Sequence, residues 1–315
     1  MILWTLGSFV IVFAFGGVAL QLAIARNGPA VLNAVDYLTG NTRGVIRLAR
    51  ISTGDHPAQK LIVWGPSDAV VDPDSHPDPG PNANMGLPVL LFAHGGSWRS
   101  GDPEDYGFIA RAFVPQGFVV VLAGYRLVKD GGSDGAYPAM IEDTARAIGW
   151  TRETIARYGG DPDRIVVMGH SAGAYNVVMS ALDCRWLDEL GANALRGVIG
   201  LSGPYDFYPF DSESTIAAFG NAPDPEATQV FNHVRADAAP ALLIHGEKDT
   251  LVRPRNSREL AALIETAGGA ATLRLFPDMN HNDPLISLAS PWRKRRDLAA
   301  TISAFAGNAA RSPRA

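Results

Sequence analysis

Residues 164–175 read Arg-Ile-Val-Val-Met-Gly-His-Ser-Ala-Gly-Ala-Tyr, and this stretch constrains the fold more than any other. Ile165 to Met168 is an apolar, largely β-branched run of the kind that fills the middle of a parallel sheet covered on both faces. Gly169-His170-Ser171-Ala172-Gly173 interrupts it, and small residues then lead into a helix-compatible segment through Ala181. The expected order is therefore strand, tight turn, helix. A serine at the tip of such a turn projects above the carboxyl edge of the sheet, and the flanking glycines remove the β-carbons that would collide there. Ser171 is the candidate nucleophile. With 33 glycines in the chain the pentapeptide can also arise by accident, so its meaning depends on which residues follow and in what order.

Length does not force a split, because α/β folds of this size often form one unit. With 315 residues, 47% hydrophobic and 19% charged, the chain has ample material for a core; its formal net charge of -5 argues against a nucleic-acid partner. The basic run Arg293 to Arg296 is expected on a solvated helix face. The single Cys184 excludes an internal disulfide, and neither a zinc-ligand spacing nor a glycine-rich phosphate loop with its lysine occurs.

Ile2 to Ala25 carries no charge. As a helix of about 24 residues it would reach roughly 36 Å, enough for a hydrocarbon core of about 30 Å. Residues 1–28 are expected to be a transmembrane anchor, with a cleaved signal segment as the alternative suggested by Ala23-Ile24-Ala25. Arg26, Arg43, Arg47 and Arg50 all follow the segment, which would leave the rest of the chain, 29–315, on the cytoplasmic side if the anchor is retained, or exported if it is cleaved.

Residues Pro29 to Ile51 read as an amphipathic connector and Lys60 to Trp64 as a first strand. Gly65 to Pro88, with six prolines and several aspartates, reads as a surface loop. From there buried-type strands alternate with helical segments, the mark of a mostly parallel sheet flanked by helices. The strands are Val89 to Ala93, Val119 to Ala123, Ile165 to Met168, Val198 to Leu201, Ala241 to Ile244 and Leu273 to Phe276. Helices are expected over Glu104 to Pro115, Ala139 to Tyr158, Ala172 to Leu182, Arg255 to Ala267 and Pro291 to Phe305. Ligands bind outside the carboxyl ends of such strands, so the chemistry is sought there.

After Ala93 comes His94-Gly95-Gly96-Ser97-Trp98. A glycine pair lets backbone N–H groups turn toward a reacting carbonyl oxygen, with the N–H of Ala172 as the neighbouring donor. The plain alternative is a glycine turn, and His94 is expected to brace the loop. After Ile244 comes His245-Gly246-Glu247-Lys248-Asp249; Asp249 is the preferred acid and Glu247 its alternative. Of the seven histidines only His281 lies beyond Asp249, so the order nucleophile, acid, base closes in one way. Asp249 would then fix the His281 tautomer, and His281 would take the Ser171 proton and return it to the leaving group; no metal or organic cofactor is needed.

These motifs resemble the α/β-hydrolase superfamily, and within it the bacterial carboxylesterases related to feruloyl esterases, kynurenine formamidases and hormone-sensitive-lipase-type esterases. The likeness runs from about Gly54 to the C-terminus. It rests on HGGSW at His94 to Trp98, GYRL at Gly124 to Leu127, YGGDPDRI at Tyr158 to Ile165, GHSAGAY at Gly169 to Tyr175, GPYDF at Gly203 to Phe207 and EKDTLVRP at Glu247 to Pro254. Ser97 stands where many relatives have a third glycine, and Gly124 where an aspartate is common. The resemblance implies an α/β-hydrolase fold, a mostly parallel sheet flanked by helices, for the expected catalytic domain 29–315, and leaves the apolar N-terminal helix outside it. It further implies a Ser171-Asp249-His281 triad, an oxyanion loop of Gly95, Gly96 and Ala172, and an acyl-enzyme on a small or medium ester. An amidase or arylformamidase-like enzyme using the same triad, and a non-catalytic binding protein on this scaffold, are the other readings. The aromatic stretch Gly203 to Asp237 either roofs the pocket or forms a satellite core, and Trp98 is either pocket wall or packing.

Overall fold

The computed structural model describes residues 23–24, 26–68, 86–128, 133–190, 194–295 and 297–311. The apolar span from Ile2 lies almost wholly outside the described residues, as does most of the proline-rich stretch after Gly65. Among the described residues no helix is long and apolar enough to cross a membrane.

Eight strands form one sheet in the order β1-β2-β4-β3-β5-β6-β7-β8. They are β1 (Val45–Ser52), β2 (Lys60–Pro66), β3 (Leu87–Ala93), β4 (Val119–Ala123), β5 (Gly160–His170), β6 (Gly197–Leu201), β7 (Ala241–Gly246) and β8 (Ala271–Phe276). β1 pairs antiparallel with β2 and β2 with β4, while every pairing from β4 to β8 is parallel. Successive side chains of a strand point to opposite faces, and here both faces are buried. Val89 and Leu91 of β3, with Ile165 and Val167 of β5, enter one core. Leu90, Phe92, Val166 and Met168 enter the other.

Helices supply the covering layers. After α1 (residues 26–39) come α2 (Gly107–Phe113), α3 (Ala139–Thr154), α4 (Ala172–Leu182), α5 (Glu213–Phe219), α6 (Arg255–Thr266), α7 (Asp283–Ile286) and α8 (Leu298–Arg311). Met140 and Ile148 of α3, Val177 and Val178 of α4, and Leu260 and Ile264 of α6 close the first core. Phe108 and Phe113 of α2, with Leu298, Ile302 and Ala306 of α8, close the second.

Three expectations need correction. The connector Pro29 to Ile51 is a helix followed by strand β1, so Lys60 does not open the first strand. A register shift between Arg47 and Ala49 breaks the two-residue alternation that would have identified β1, and its arginines suit an exposed sheet edge. The last helix begins at Leu298 rather than Pro291; a short 3-10 turn, Trp292–Arg295, precedes it. Arg293 does not lie on a solvated face. It reaches the buried Asp36 at 2.7 Å, where Arg111 also pairs, so α1 is clamped to α2 and to the chain ahead of α8.

Gly203 to Asp237 behaves chiefly as packing. Tyr205 and Phe219 are buried, and Phe207, Phe210 and Phe231 lean on the first core. Trp98 joins them, its ring centre 4.8 Å from Phe219 and 5.8 Å from Phe207. Tyr208 alone of this set is substantially exposed.

Candidate active site

Ser171 stands between the end of β5 and the start of α4 with φ 53° and ψ -121°, a left-handed region that a non-glycine residue enters at a cost. The surroundings hold it there. A β-carbon at Gly169 would come within 2.2 Å of the Gly173 carbonyl oxygen, and one at Gly173 within 2.2 Å of the Ala93 oxygen, so strand and helix meet only because both positions are glycine. Ser171 N–H donates to Leu201 O at 2.8 Å, fastening the turn to β6.

The loops after β7 and β8 bring two further predicted residues to this point. His281 Nε2 lies 2.9 Å from Ser171 Oγ, and its Nδ1 lies 2.8 Å from Asp249 Oδ2. All three residues are buried. The other carboxylate oxygen of Asp249 accepts from the N–H groups of Leu251 and Val252 at 3.0 and 2.9 Å. Burial works to raise the Asp249 pKa, but hydrogen bonds from His245 and His281 and the charge on His281 outweigh it and hold the carboxyl below the usual carboxylate range. Glu247 is elsewhere, paired with Arg258 at the surface, so the alternative acid is set aside.

Gly95 lies against the serine: a β-carbon there would come 3.3 Å from Ser171 Cβ and 2.9 Å from His170 Nδ1. Gly96 has φ +126°, and a side chain on it would collide with Ser100. Ser97 and Trp98 also carry positive φ, and the buried Trp98, whose Nε1 donates to Asn176 Oδ1 at 3.1 Å, locks this conformation by packing. Ala172 opens α4, so its N–H is among those at the positive end of that helix. Gly95 therefore approaches Ser171 from the loop after β3, with Gly96 next along that loop, and Ala172 follows Ser171 directly.

His94 braces the loop from below. It lies between the rings of Tyr125 and Tyr106, its Nδ1 is 2.9 Å from Gly95 O, and its own carbonyl accepts from Tyr125 Oη at 2.8 Å. Burial lowers its pKa to about 4, against the raising effect of the Gly95 contact. Two histidines that the sequence did not single out also belong here. His170 Nε2 donates to the His281 carbonyl at 3.0 Å, and burial, then the neighbouring His281, lowers its pKa to about 3. His245 approaches Asp249 Oδ2 at 3.1 Å. The signal available for both was a histidine closing an apolar strand just before a motif residue.

A cavity of ≈ 430 Å³ lies along the Gly95-Gly96 loop, lined by Gly95, Gly96, His170 and Asn282 and, from the start of α1, by Arg26 and Asn27; Ser171 and His281 do not line it. Among the described residues no group of three or more His, Cys, Asp or Glu could hold a metal ion.

Comparison with known proteins agrees with this architecture. Residues 79–264 match the BD-FAE family, a span that includes Ser171 and Asp249 and ends short of His281. Esterase LipQ of Mycobacterium tuberculosis is 30% identical over 268 residues, covering 78% of this chain and 61% of LipQ. Isoprenylcysteine alpha-carbonyl methylesterase ICME of Arabidopsis thaliana is 24% identical over 78% of this chain and 58% of its own. The chain therefore spans about 60% of the length of these curated relatives. Among solved structures, a truncated carbohydrate esterase from gut microbiota aligns with TM-score 0.69 at 17% identity, covering 85% of this chain and 97% of its own. Esterase B from Lactobacillus rhamnosis, solved with a tributyrin phosphonate inhibitor, aligns with TM-score 0.71 at 18% identity, covering 93% and 94%. Both share the fold. The chain belongs to the BD-FAE family, within the α/β-hydrolases.

Proposed function

Taking that membership as premise, we propose that the protein is a serine carboxylic ester hydrolase. The observation that carries the reading is the unbroken line of contacts from Ser171 Oγ through His281 to Asp249, at 2.9 and 2.8 Å. Asp249 accepts from His281 Nδ1 and fixes the tautomer, so that Nε2 can take the Ser171 proton as Oγ attacks the ester carbonyl. The oxyanion that forms lies between the N–H groups of Ala172 and of Gly95 or Gly96, where each fixed donor contributes about 3 to 4 kcal/mol to lowering the barrier. His281 then protonates the departing alcohol. Water, deprotonated by the same imidazole, releases the acid from the acyl-enzyme.

Relatives named as esterases support the ester as the substrate bond. The catalytic unit is 29–315, and the charge-free run Ile2 to Ala25 within residues 1–28 supports attachment to a membrane on sequence grounds alone. The test is a panel of p-nitrophenyl esters and matching anilides of increasing acyl length. Short esters are turned over by the native chain, while Ser171→Ala loses on the order of 10⁴-fold or more in kcat with an unchanged far-UV spectrum. Turnover of anilides in preference to esters would redirect the reading to an amidase, and undiminished activity in Ser171→Ala would end it.

A further inference from the structure

We propose that His245 is a positioning residue of this site: a second imidazole that holds the Asp249 carboxylate in its aim at His281 and draws off part of its charge. The proposal rests on the reading of Ser171, His281 and Asp249 as an acyl-transfer triad.

His245 is fully buried at the end of β7, four residues ahead of Asp249. Its Nε2 lies 2.9 Å from Val252 O and 3.1 Å from Asp249 Oδ2. A carbonyl oxygen can only accept, so Nε2 carries a hydrogen in either protonation state of the ring, and the nearby carboxylate oxygen shares it. Nδ1 lies 2.8 Å from Ser257 Oγ in α6, which anchors the far edge of the ring.

Asp249 is thus gripped by four donors. Oδ1 accepts from Leu251 and Val252 N–H, and Oδ2 from His281 Nδ1 and His245 Nε2. The backbone pair alone fixes the turn, so the second imidazole adds something more: its hydrogen shares Oδ2 with His281. A donor on that oxygen lowers the carboxylate's pull on the His281 ring and removes its freedom to rotate away as the imidazolium forms.

The groups that face this carboxylate are few. His281 comes from the loop after β8, and His170 at the end of β5 stands behind it, ring centres 5.1 Å apart. From α6, Ser257 meets the His245 ring and Arg258 is drawn to Glu247. Lys248 and Arg253 of the same loop are exposed.

The experiment compares His245→Leu, His245→Gln and Ser257→Ala with the native chain. It reads kcat and KM across pH on a p-nitrophenyl ester, with phosphonate labelling of Ser171 as the control for an assembled site. Without the Nε2 donor, Asp249 stabilises the His281 imidazolium more strongly. In His245→Leu the carboxylate also loses its aim at His281, and that misalignment is expected to lower kcat by about tenfold with KM nearly unchanged, while the stronger pull moves the acid-side midpoint of kcat/KM upward. His245→Gln, whose amide N–H can reach the position of Nε2, restores most of both; Ser257→Ala gives a smaller shift in the same direction.

A His245→Leu enzyme with native kcat and native midpoint would overturn the proposal, as would His245→Gln performing no better than His245→Leu. If His245→Leu does not fold, Ser257→Ala decides, and a native profile there overturns it. Failure of the native chain to label at Ser171 would instead defeat the triad reading on which the proposal stands.

Discussion

Asp36 and Asp249 are two of the carboxylates buried among the described residues, and they are held in opposite ways. Asp36, on α1, is fully enclosed between guanidinium groups: Arg293 Nη2 at 2.7 Å, Arg111 Nε at 2.5 Å, and the Ser290 N–H at 2.6 Å. Asp249 is enclosed between the imidazoles of His281 and His245 and two backbone N–H groups. Guanidinium partners stay charged at every physiological pH and cannot exchange a proton, so the Asp36 cluster is a static clamp. Imidazoles can gain and lose a proton near neutrality, so the Asp249 cluster can take part in chemistry. One physical problem, a carboxylate out of water, is met by fixed charge at a structural joint and by titratable groups at the proposed triad.

Three outcomes sharpen or break that contrast. The largest concerns the carboxylate of the proposed triad: Asp249→Asn keeps the shape but reverses the tautomer preference of His281, and kcat is expected to fall on the order of 10⁴-fold with a near-native melting profile, read by ester assay and calorimetry. Next comes the clamp. Asp36→Ala leaves the buried Arg111 and the part-buried Arg293 without their carboxylate and is expected to cost about 3 to 5 kcal/mol in denaturant unfolding, while the folded fraction retains its turnover number. If Asp36→Ala lost activity out of proportion to folded protein, the clamp would not be merely a joint.

A more gradual effect is spread over the acid limb of stability. His94 and His170 have folded pKa values lowered to about 4 and about 3, beneath the ordinary 6.5 of the unfolded chain. Between those values the unfolded chain binds the extra protons, so stability is fully present above about pH 6.5 and declines as pH falls toward 4. Each ring contributes a slope of up to about 1.4 kcal/mol per pH unit. Asp249, lowered as well, adds to the loss only below the usual carboxylate range. Chemical unfolding at pH 7.0, 6.0 and 5.0 measures the slope; a flat result would mean that those rings are not buried uncharged.

Much of this was legible in the chain. The strands from β3 onward announced themselves as continuous apolar runs because both faces of a parallel sheet are buried, and each site residue followed one of them. His281 was legible by order alone. What escaped depended on contacts remote in sequence or on broken periodicity. The Arg111 and Arg293 partners of Asp36 lie 75 and 257 residues away from it, and no local pattern announces such a meeting. β1 is hidden by its register shift, and Arg293 reads as a surface charge in sequence because charge runs usually are solvated. His170 and His245 sit at the ends of apolar runs, where a packed histidine and one that orients a carboxylate or an imidazole look identical in one dimension.

The central claim, that Ser171 is the nucleophile, is tested most directly by treating the full chain with a phosphonate inhibitor and locating the adduct by mass spectrometry of the digested protein. The account predicts one adduct per chain, on the peptide containing Ser171, lost in Ser171→Ala and strongly slowed in Asp249→Asn. An adduct on a different residue, or labelling of Ser171 at the native rate in Asp249→Asn, would contradict it.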